Sequence, residues 1–145
     1  MNTLQDKALA VFEAMNQAQL HRIRELVTDD FVDHGAPPGT PVGGDAYVQV
    51  LTWVTQVLKI RYEIQDVFAS GDRVAIRAVA YGVHDAANFG VEPTGKPYRM
   101  DTAHIFRGER GMLAEHWGVR AELPVLFQVG ALTPPPLREL AKDHV

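Results

Sequence analysis

Histidine is the side chain best suited to acid/base chemistry in this 145-residue chain, which has six histidines and no cysteine. An imidazole titrates near neutral pH, so it can accept or release a proton with little tuning. Two of the six, His104 and His116, lie in neighbouring segments whose residues alternate as strands do. The reaction that these side chains favour is proton abstraction next to a carbonyl group, which needs a base held in an apolar site.

Two predicted strands would bring these imidazoles together. Every second residue of a strand faces the same side, so His104 shares a face with the even-numbered residues of 97–107. His116 shares a face with the even-numbered residues of 112–121. If the strands are adjacent, both imidazoles stand on one concave side. We therefore predict His104 and His116 as catalytic residues, and we predict these as substrate-binding residues: Met100, Thr102, Phe106 and Gly118.

Two further histidines are predicted to bind substrate. His34 lies in a Gly- and Pro-rich loop, 31–44, and loops often line the rim of a pocket. His84 ends the apolar face of another strand. For each histidine, a hydrogen-bonded structural role is the alternative. No spacing places two metal ligands on one element, so we predict no metal site.

The elements that must position these residues follow from the apolar periodicity. Helical spacing in the first half and alternation in the second half predict an α+β fold, with a mostly antiparallel curved sheet packed on three N-terminal helices and enclosing an apolar pocket. A single domain is expected over 1–132, with a tail at 133–145. The predicted helices are 4–19, 19–27 and 45–58, capped in the last case by Asp45, and the predicted strands are 59–68, 74–84, 97–107 and 112–121.

The composition narrows the class of partner. A formal net charge of -4 with scattered Lys and Arg gives no basic surface for nucleic acid or for an anionic membrane. Apolar residues make up 46% and charged residues 22% of the chain, as in ordinary globular proteins. The N-terminal residues lack the basic and continuous apolar runs of a signal peptide. We therefore expect a cytoplasmic protein. The apolar pocket predicted above, and not the composition, indicates a small hydrophobic molecule as its partner.

Four segments in order resemble the SnoaL-like polyketide cyclases of the NTF-like superfamily, over roughly residues 4–131. They are "FVDHGAPPGTPVGGDAYVQVL", "GVHDAANFGVEPTGKPY", "AHIFRGERGMLAEHW" and "LFQVGAL". The resemblance implies a cone of helices against a curved sheet, an apolar cavity, and ring closure by intramolecular aldol condensation without metal or cofactor. It also suits a homodimer formed through the outer sheet face, where Arg77, Tyr81, Ile105 and Trp117 are expected.

The chain departs from this family at two positions. Its members carry an aspartate directly after the Trp of the "EHW" strand, and many carry another three residues later. Here these positions are Gly118 and Ala121, while the family's assisting histidine matches His104. We therefore predict that the usual carboxylate is absent and that the histidines perform the acid/base step, in a cyclisation, an isomerisation or a related lyase reaction.

Two other functions stay open on the sequence. A pocket without its carboxylates is also typical of a non-catalytic protein that binds a hydrophobic molecule. The Arg-x-Asp pair of Arg99 and Asp101 resembles part of an epoxide-hydrolase site on the same general fold. Arg120 is expected either to be solvated or to anchor a ligand oxygen at the rim.

Overall fold

The computed structural model describes residues 3–137, so the last eight residues of the predicted tail, 138–145, lie outside the described residues. The helices are α1 (Leu4–Asn16), α2 (Gly44–Gln56) and α3 (Glu122–Gln128), with 3-10 segments at Leu20–Leu26 and Asn88–Gly90. The strands are β1 (Val27–Asp33), β2 (Arg61–Ser70), β3 (Arg73–Val83), β4 (Pro97–Glu109) and β5 (Met112–Arg120).

The five strands form one open sheet in the order β1-β5-β4-β3-β2. The pairs from β2 to β5 are antiparallel, and β1 joins the free side of β5 in parallel. Helix α1 packs on one face of this sheet, and α2 packs beside β1. The predicted α+β cone with a mostly antiparallel sheet is therefore confirmed.

Alternating burial on β4 shows how the sequence builds the inner face. Even-numbered residues from Tyr98 to Gly108 are buried, whereas the odd-numbered residues from Pro97 to Arg107 are exposed or half-buried. The aromatic rings of Phe12 on α1 and Phe106 on β4 meet edge to face above this surface. Burial of these apolar faces is what joins helix to sheet. Because polar His104 and Thr102 share this face, they are carried into the core.

Two close contacts fix how neighbouring elements approach. The side-chain amide of Asn16, at the end of α1, donates to the carbonyl of Tyr62 and accepts from its N–H, so α1 is hydrogen-bonded to the start of β2. On β3, a Cβ at Gly82 would lie 2.5 to 2.8 Å from atoms of the Tyr98 side chain. Glycine is therefore required at 82 for the Tyr98 ring to lie flat across the sheet.

The structure corrects three details of the sequence interpretation. Residues 31–33, predicted as part of a loop, belong to the missed strand β1, and α3 was also missed. The helix predicted at 45–58 spans Gly44–Gln56, and its N-cap is Gly43, not Asp45. The Asp45 carboxylate instead accepts from Arg24 at 2.8 Å, because the 3-10 segment packs against the start of α2.

Membrane insertion by a helix finds no support in the described part of the chain. None of the helices within residues 3–137 is both long enough and apolar enough to cross a bilayer.

Candidate functional site

A buried chain of hydrogen bonds links four side chains from three strands. The Asp33 carboxylate oxygen Oδ1 lies 2.6 Å from His116 Nδ1, and His116 Nε2 lies 2.8 Å from His104 Nδ1. His104 Nε2 lies 3.0 Å from the Thr102 hydroxyl, which donates to the Ala78 carbonyl at 2.7 Å. The relative exposure of both imidazoles is 5% or less.

The direction of these hydrogen bonds fixes where the protons lie. Because the Thr102 hydroxyl donates to a carbonyl, it must accept from His104 Nε2, which leaves His104 Nδ1 as an acceptor. His116 Nε2 must then donate to His104. If Asp33 is ionised, His116 Nδ1 also donates, and His116 is an imidazolium paired with a carboxylate. Moving that proton to Asp33 leaves the net charge of the pair at zero.

The electrostatics agree that His104 is the neutral member. Burial lowers the pKa of His104 well below its ordinary value of 6.5, and the nearby charges of His116 and Arg120 lower it further. Desolvation disfavours the charged form of an imidazole, and neighbouring cations act in the same direction. His104 therefore accepts a hydrogen bond from His116 without competing for its proton.

The two oxygens of the Asp33 carboxylate differ in their hydrogen bonding. Its Oδ1 accepts from His116 and from the backbone N–H of Gly35, at 2.9 Å. Its Oδ2 takes part in none of the hydrogen bonds found within residues 3–137, and it is not one of the fully buried polar atoms without a partner. Oδ2 is thus a partly accessible acceptor beside the imidazole pair.

A cavity of about 360 Å³ lies next to this chain. Its wall is mostly aliphatic and aromatic, with Val54, Ile60, Met100, Trp53 and Phe89 as examples. This volume lies near the lower end of the roughly 300–1,000 Å³ typical of small-molecule sites. The composition and size of the cavity suit a small, largely apolar ligand.

Two polar side chains of the cavity wall approach the hydrogen-bonded chain. Tyr62 lies edge-on to the His104 ring, with centroids 5.9 Å apart, and Arg120 donates to the Gly35 carbonyl at 3.3 Å. Burial raises the pKa of Tyr62 above its ordinary value of 10.0, although the adjacent Arg120 guanidinium opposes part of that rise. The Tyr62 hydroxyl is therefore protonated at neutral pH and can donate to a ligand oxygen.

The predicted site residues separate into three groups. Met100 lines the cavity, whereas Thr102, His104 and His116 form the buried chain behind it. Gly118 lies beside His116, since a Cβ there would be 3.1 Å from the ring carbon Cε1. The Phe106 ring packs on the His116 ring at 4.9 Å and supports it from within the core.

His34 and His84 lie away from the cavity wall. His34 stacks on Trp117 at 5.0 Å and pairs with Glu115 at 2.7 Å, on the side of β5 opposite His116. His84 is fully buried, and its ring hydrogen-bonds Thr94 and the Asn88 carbonyl, which holds the loop after β3. These protein contacts account for the position of each histidine without a ligand.

The outer face of the sheet carries the remaining candidates. Arg99 and Asp101 point to that exposed face, where their charged groups are 3.8 Å apart. Arg107 donates to Glu115 at 2.5 Å, and Trp117 lies under the Arg73 guanidinium. The Arg-x-Asp pair is thus on the opposite side of β4 from His104 and does not face the cavity.

Sequence reasoning missed Asp33 and Tyr62 and left Arg120 open between solvent and the rim of the pocket. Asp33 has the same parity as buried Phe31, which is the signal that could have placed it inward once β1 was recognised. Tyr62 lies on the same strand face as Ile60 and Ile64, so the sequence predicts that its side chain points inward. The sequence does not predict its role in the site. Arg120 shares the parity of His116 and lines the cavity.

Metal binding finds no site in the part of the chain that the structure covers. Within residues 3–137, no three His, Asp or Glu side chains converge in a way that could hold a metal ion.

Comparison with known proteins places this architecture in a family. A family model described as SnoaL-like polyketide cyclase matches residues 5–129. The structure of IdmH from Streptomyces antibioticus, a candidate polyketide cyclase, is similar at 32% identity and a TM-score of 0.74, over 88% of this chain and 98% of that one. A search of curated proteins finds no significant match.

More distant structures share the fold. TsrD from Streptomyces laurentii is 20% identical, with a TM-score of 0.76 over 88% of this chain and 95% of its own. A SnoaL-like polyketide cyclase from Agrobacterium tumefaciens is 19% identical, with a TM-score of 0.78 over 90% of this chain and all of its own (100%). At such identities the likeness concerns the architecture alone.

Proposed function

The chain belongs to the SnoaL-like polyketide cyclase family, and on that premise we propose that it performs a cofactor-independent acid/base step on a small hydrophobic carbonyl compound. An intramolecular aldol cyclisation is the form that we favour, with isomerisation or a related lyase step as variants of the same proton transfer. The observation that carries the proposal is the buried Asp33–His116–His104 chain beside the cavity.

The burial of this chain supports a chemical role. Burying a polar or charged group costs desolvation free energy unless the group is paired. Apolar side chains in the same space would avoid this desolvation cost. Perturbed titratable groups that cluster beside a cavity are candidates for function for this reason. His104, with its depressed pKa, meets that description, and it is hydrogen-bonded to the buried Asp33–His116 pair.

The proposed step divides the work between the cavity wall and the hydrogen-bonded chain behind it. Arg120 and Tyr62 hold the carbonyl oxygen and stabilise the negative charge that develops when the adjacent C–H bond breaks. Asp33 Oδ2 accepts that proton, while His116 and His104 hold the carboxylate in place and balance its charge. The carbanion then attacks a second carbonyl of the same molecule, and Asp33 returns the proton to the new alkoxide. No proton is gained or lost overall.

Deuterium exchange tests the first half of this step without knowledge of the natural substrate. The probe is an N-acetylcysteamine thioester of a short aromatic β-keto acid in D₂O, with mass spectrometry reporting enzyme-dependent exchange at the α-carbon. Loss of a general base typically costs about 10²–10⁴-fold. We therefore expect Asp33→Asn to slow exchange at least 100-fold, and His104→Gln and His116→Gln to slow it at least tenfold.

The matched control is His21→Gln, which removes an exposed imidazole from the 3-10 segment and should exchange at the wild-type rate. Equal rates for wild type and Asp33→Asn would remove this carboxylate from the mechanism. Exchange no faster than in buffer, for every thioester tried, would count against the enzyme as a whole.

A binding protein without chemistry is the second candidate, and one observation favours it. All four ring nitrogens of His104 and His116 already have hydrogen-bond partners, and neither ring lines the cavity. Under this alternative, the buried chain would only shape the wall. A ligand retained through purification and recovered unchanged would support it, provided that the exchange test above gives no turnover.

Two further expectations from the sequence belong to this proposal. Val119, Ile105 and Tyr81 leave exposed apolar surface on the outer sheet face, which supports a homodimer formed there. We also keep the proposal of a cytoplasmic protein acting on a small molecule, with no nucleic-acid or membrane partner. An epoxide-hydrolase-like activity has less support, because Arg99 and Asp101 are exposed on that same outer face.

A further inference from the structure

One end of the cavity has an unbalanced positive charge. Arg120 lines the wall and its guanidinium donates to the Gly35 carbonyl, but within residues 3–137 no carboxylate forms an ion pair with it. The neighbouring Asp33–His116 pair contributes no net charge, whichever of the two holds the shared proton. The inner end of the cavity therefore carries one positive charge.

Two glycines bring the backbone close to this charge. A Cβ at Gly118 would lie 3.1 Å from His116 Cε1 and 3.5 Å from Arg120 Nη2, so the Gly118 backbone packs tightly beside both side chains. A Cβ at Gly35 would lie 3.3 Å from the Gly118 nitrogen and 3.4 Å from both Asp33 Oδ1 and His116 Cε1. Gly35 and Arg120 both line the cavity, so the cavity wall beside the guanidinium is backbone without a side chain.

The donors on this part of the cavity wall match an anion of carboxylate size. A guanidinium presents several N–H groups in a planar fork that suits two carboxylate oxygens. One N–H of Arg120 donates to the Gly35 carbonyl in a long hydrogen bond of 3.3 Å. The Tyr62 hydroxyl adjoins Arg120 on the same wall, and burial keeps it protonated by raising its pKa. Glu122 also lines the cavity, but it is exposed at the start of α3 and lies in water.

We propose that Arg120 and Tyr62 form a carboxylate-binding subsite, so that the ligand is an amphiphilic acid whose apolar body fills the rest of the cavity. This inference shares its cavity and both donors with the proposed function. It differs in the oxygen group that Arg120 and Tyr62 hold, which is a carboxylate of the ligand in place of the carbonyl oxygen. An apolar body is matched by Val54, Ile60, Met100 and Trp53, which line the remaining wall.

Calorimetric titration with a matched pair of probes tests the subsite. The probes are 4-phenylbutyrate and its neutral isostere 4-phenylbutyramide, titrated into the full chain at pH 7.5 in a buffer without carboxylates. The same pair is repeated with the alkanoates and alkanamides of six to ten carbons. A charge-assisted, partly desolvated pair gives about tenfold or more in affinity. We expect each acid that binds to do so at least tenfold more tightly than its amide.

Four variants test which groups produce that preference. Arg120→Gln should reduce the preference for the acid to within about twofold, and Arg120→Lys should keep part of it because the charge remains. Gly118→Asp should abolish acid binding, because it would place a second carboxylate beside the Arg120 guanidinium, whereas Gly118→Ala, which adds no charge, should weaken it far less. Circular dichroism checks that each variant is folded.

Equal binding of acid and amide to the wild type would overturn the subsite, as would a preference that survives Arg120→Gln. So would failure of every acid to bind below millimolar concentration. The outcome is separable from the proposed function. Deuterium exchange with equal binding of the two probes leaves the acid/base step standing without the subsite, and an acid preference without exchange leaves the subsite on a binding protein.

Discussion

Replacing His104 should change how stability depends on pH, because this imidazole is buried in its neutral form. Burial, reinforced by the charges of His116 and Arg120, lowers the pKa of His104 below 6.5 in the folded state. The unfolded chain therefore binds more protons than the folded chain between that depressed pKa and 6.5. Stability rises with pH wherever the unfolded state binds more protons, so the contribution of His104 is complete above pH 6.5 and is lost as pH falls.

The magnitude follows from one proton. A difference of one bound proton changes the free energy of unfolding by about 1.4 kcal/mol per pH unit, which is the largest slope that His104 alone can supply. Asparagine at 104 can keep an acceptor near the position of Nδ1, but it cannot be protonated. The stability advantage of wild type over His104→Asn should thus be largest at pH 7.5 and should shrink toward pH 5, with a slope approaching that limit.

The assay is urea unfolding followed by tryptophan fluorescence at half-unit steps from pH 5.0 to 7.5. The groups facing His104 from the packed elements, namely His116, Tyr62 and Arg120, are unchanged in the variant, so their contributions cancel to first order in the difference. His21→Asn controls for removing an imidazole from the helical surface. A wild-type advantage that stays constant, or that grows as pH falls, would refute a buried neutral His104.

Three further outcomes follow from the packing. Asp33→Asn should destabilise the protein by about 2 kcal/mol, seen as a lower urea midpoint, because the amide oxygen can accept from His116 and from the Gly35 N–H but lacks the negative charge that strengthens a buried hydrogen bond. Gly82→Ala should cost about 1–3 kcal/mol in the same measurement, because its Cβ would overlap the Tyr98 ring, and an unchanged midpoint would contradict that overlap. Val119→Arg, at a residue 72% exposed on the outer face, should convert the proposed dimer to a monomer in light scattering, while Val42→Arg, in the loop before α2, should not.

Periodicity predicted most of the fold because the main sheet is built from local, antiparallel contacts. The alternation on β4 and β5 placed His104 and His116 on one face from the sequence alone. Strand β1 escaped because it contains Asp29, Asp30 and Asp33 and pairs in parallel with a distant segment. No local pattern encodes such a pairing, so the Asp33 carboxylate beside His116 was not predicted, whereas Gly118 and Ala121 stand at the family's aspartate positions as the sequence shows.

Long and flexible side chains set the other limit on prediction. The parity of Arg120 on β5 predicts which face it leaves from, but a four-bond side chain can reach either solvent or the cavity from there. The choice depends on the Gly35 carbonyl, which the missed end of β1 brings within hydrogen-bonding distance. The choice between the two alternatives for Arg120 therefore stayed open because β1 was missed.

The parallel pairing of the edge strand β1 affects the order in which the buried chain of side chains forms during folding. His104 and His116 are twelve positions apart on one hairpin, whereas Asp33 reaches His116 across an interval of 83 positions. Contacts close in sequence form with less loss of chain entropy, so the hairpin can pair its imidazoles before β1 arrives. The nuclear magnetic resonance signals of the His116 ring protons, followed during refolding, would then report when β1 docks and Asp33 reaches the ring.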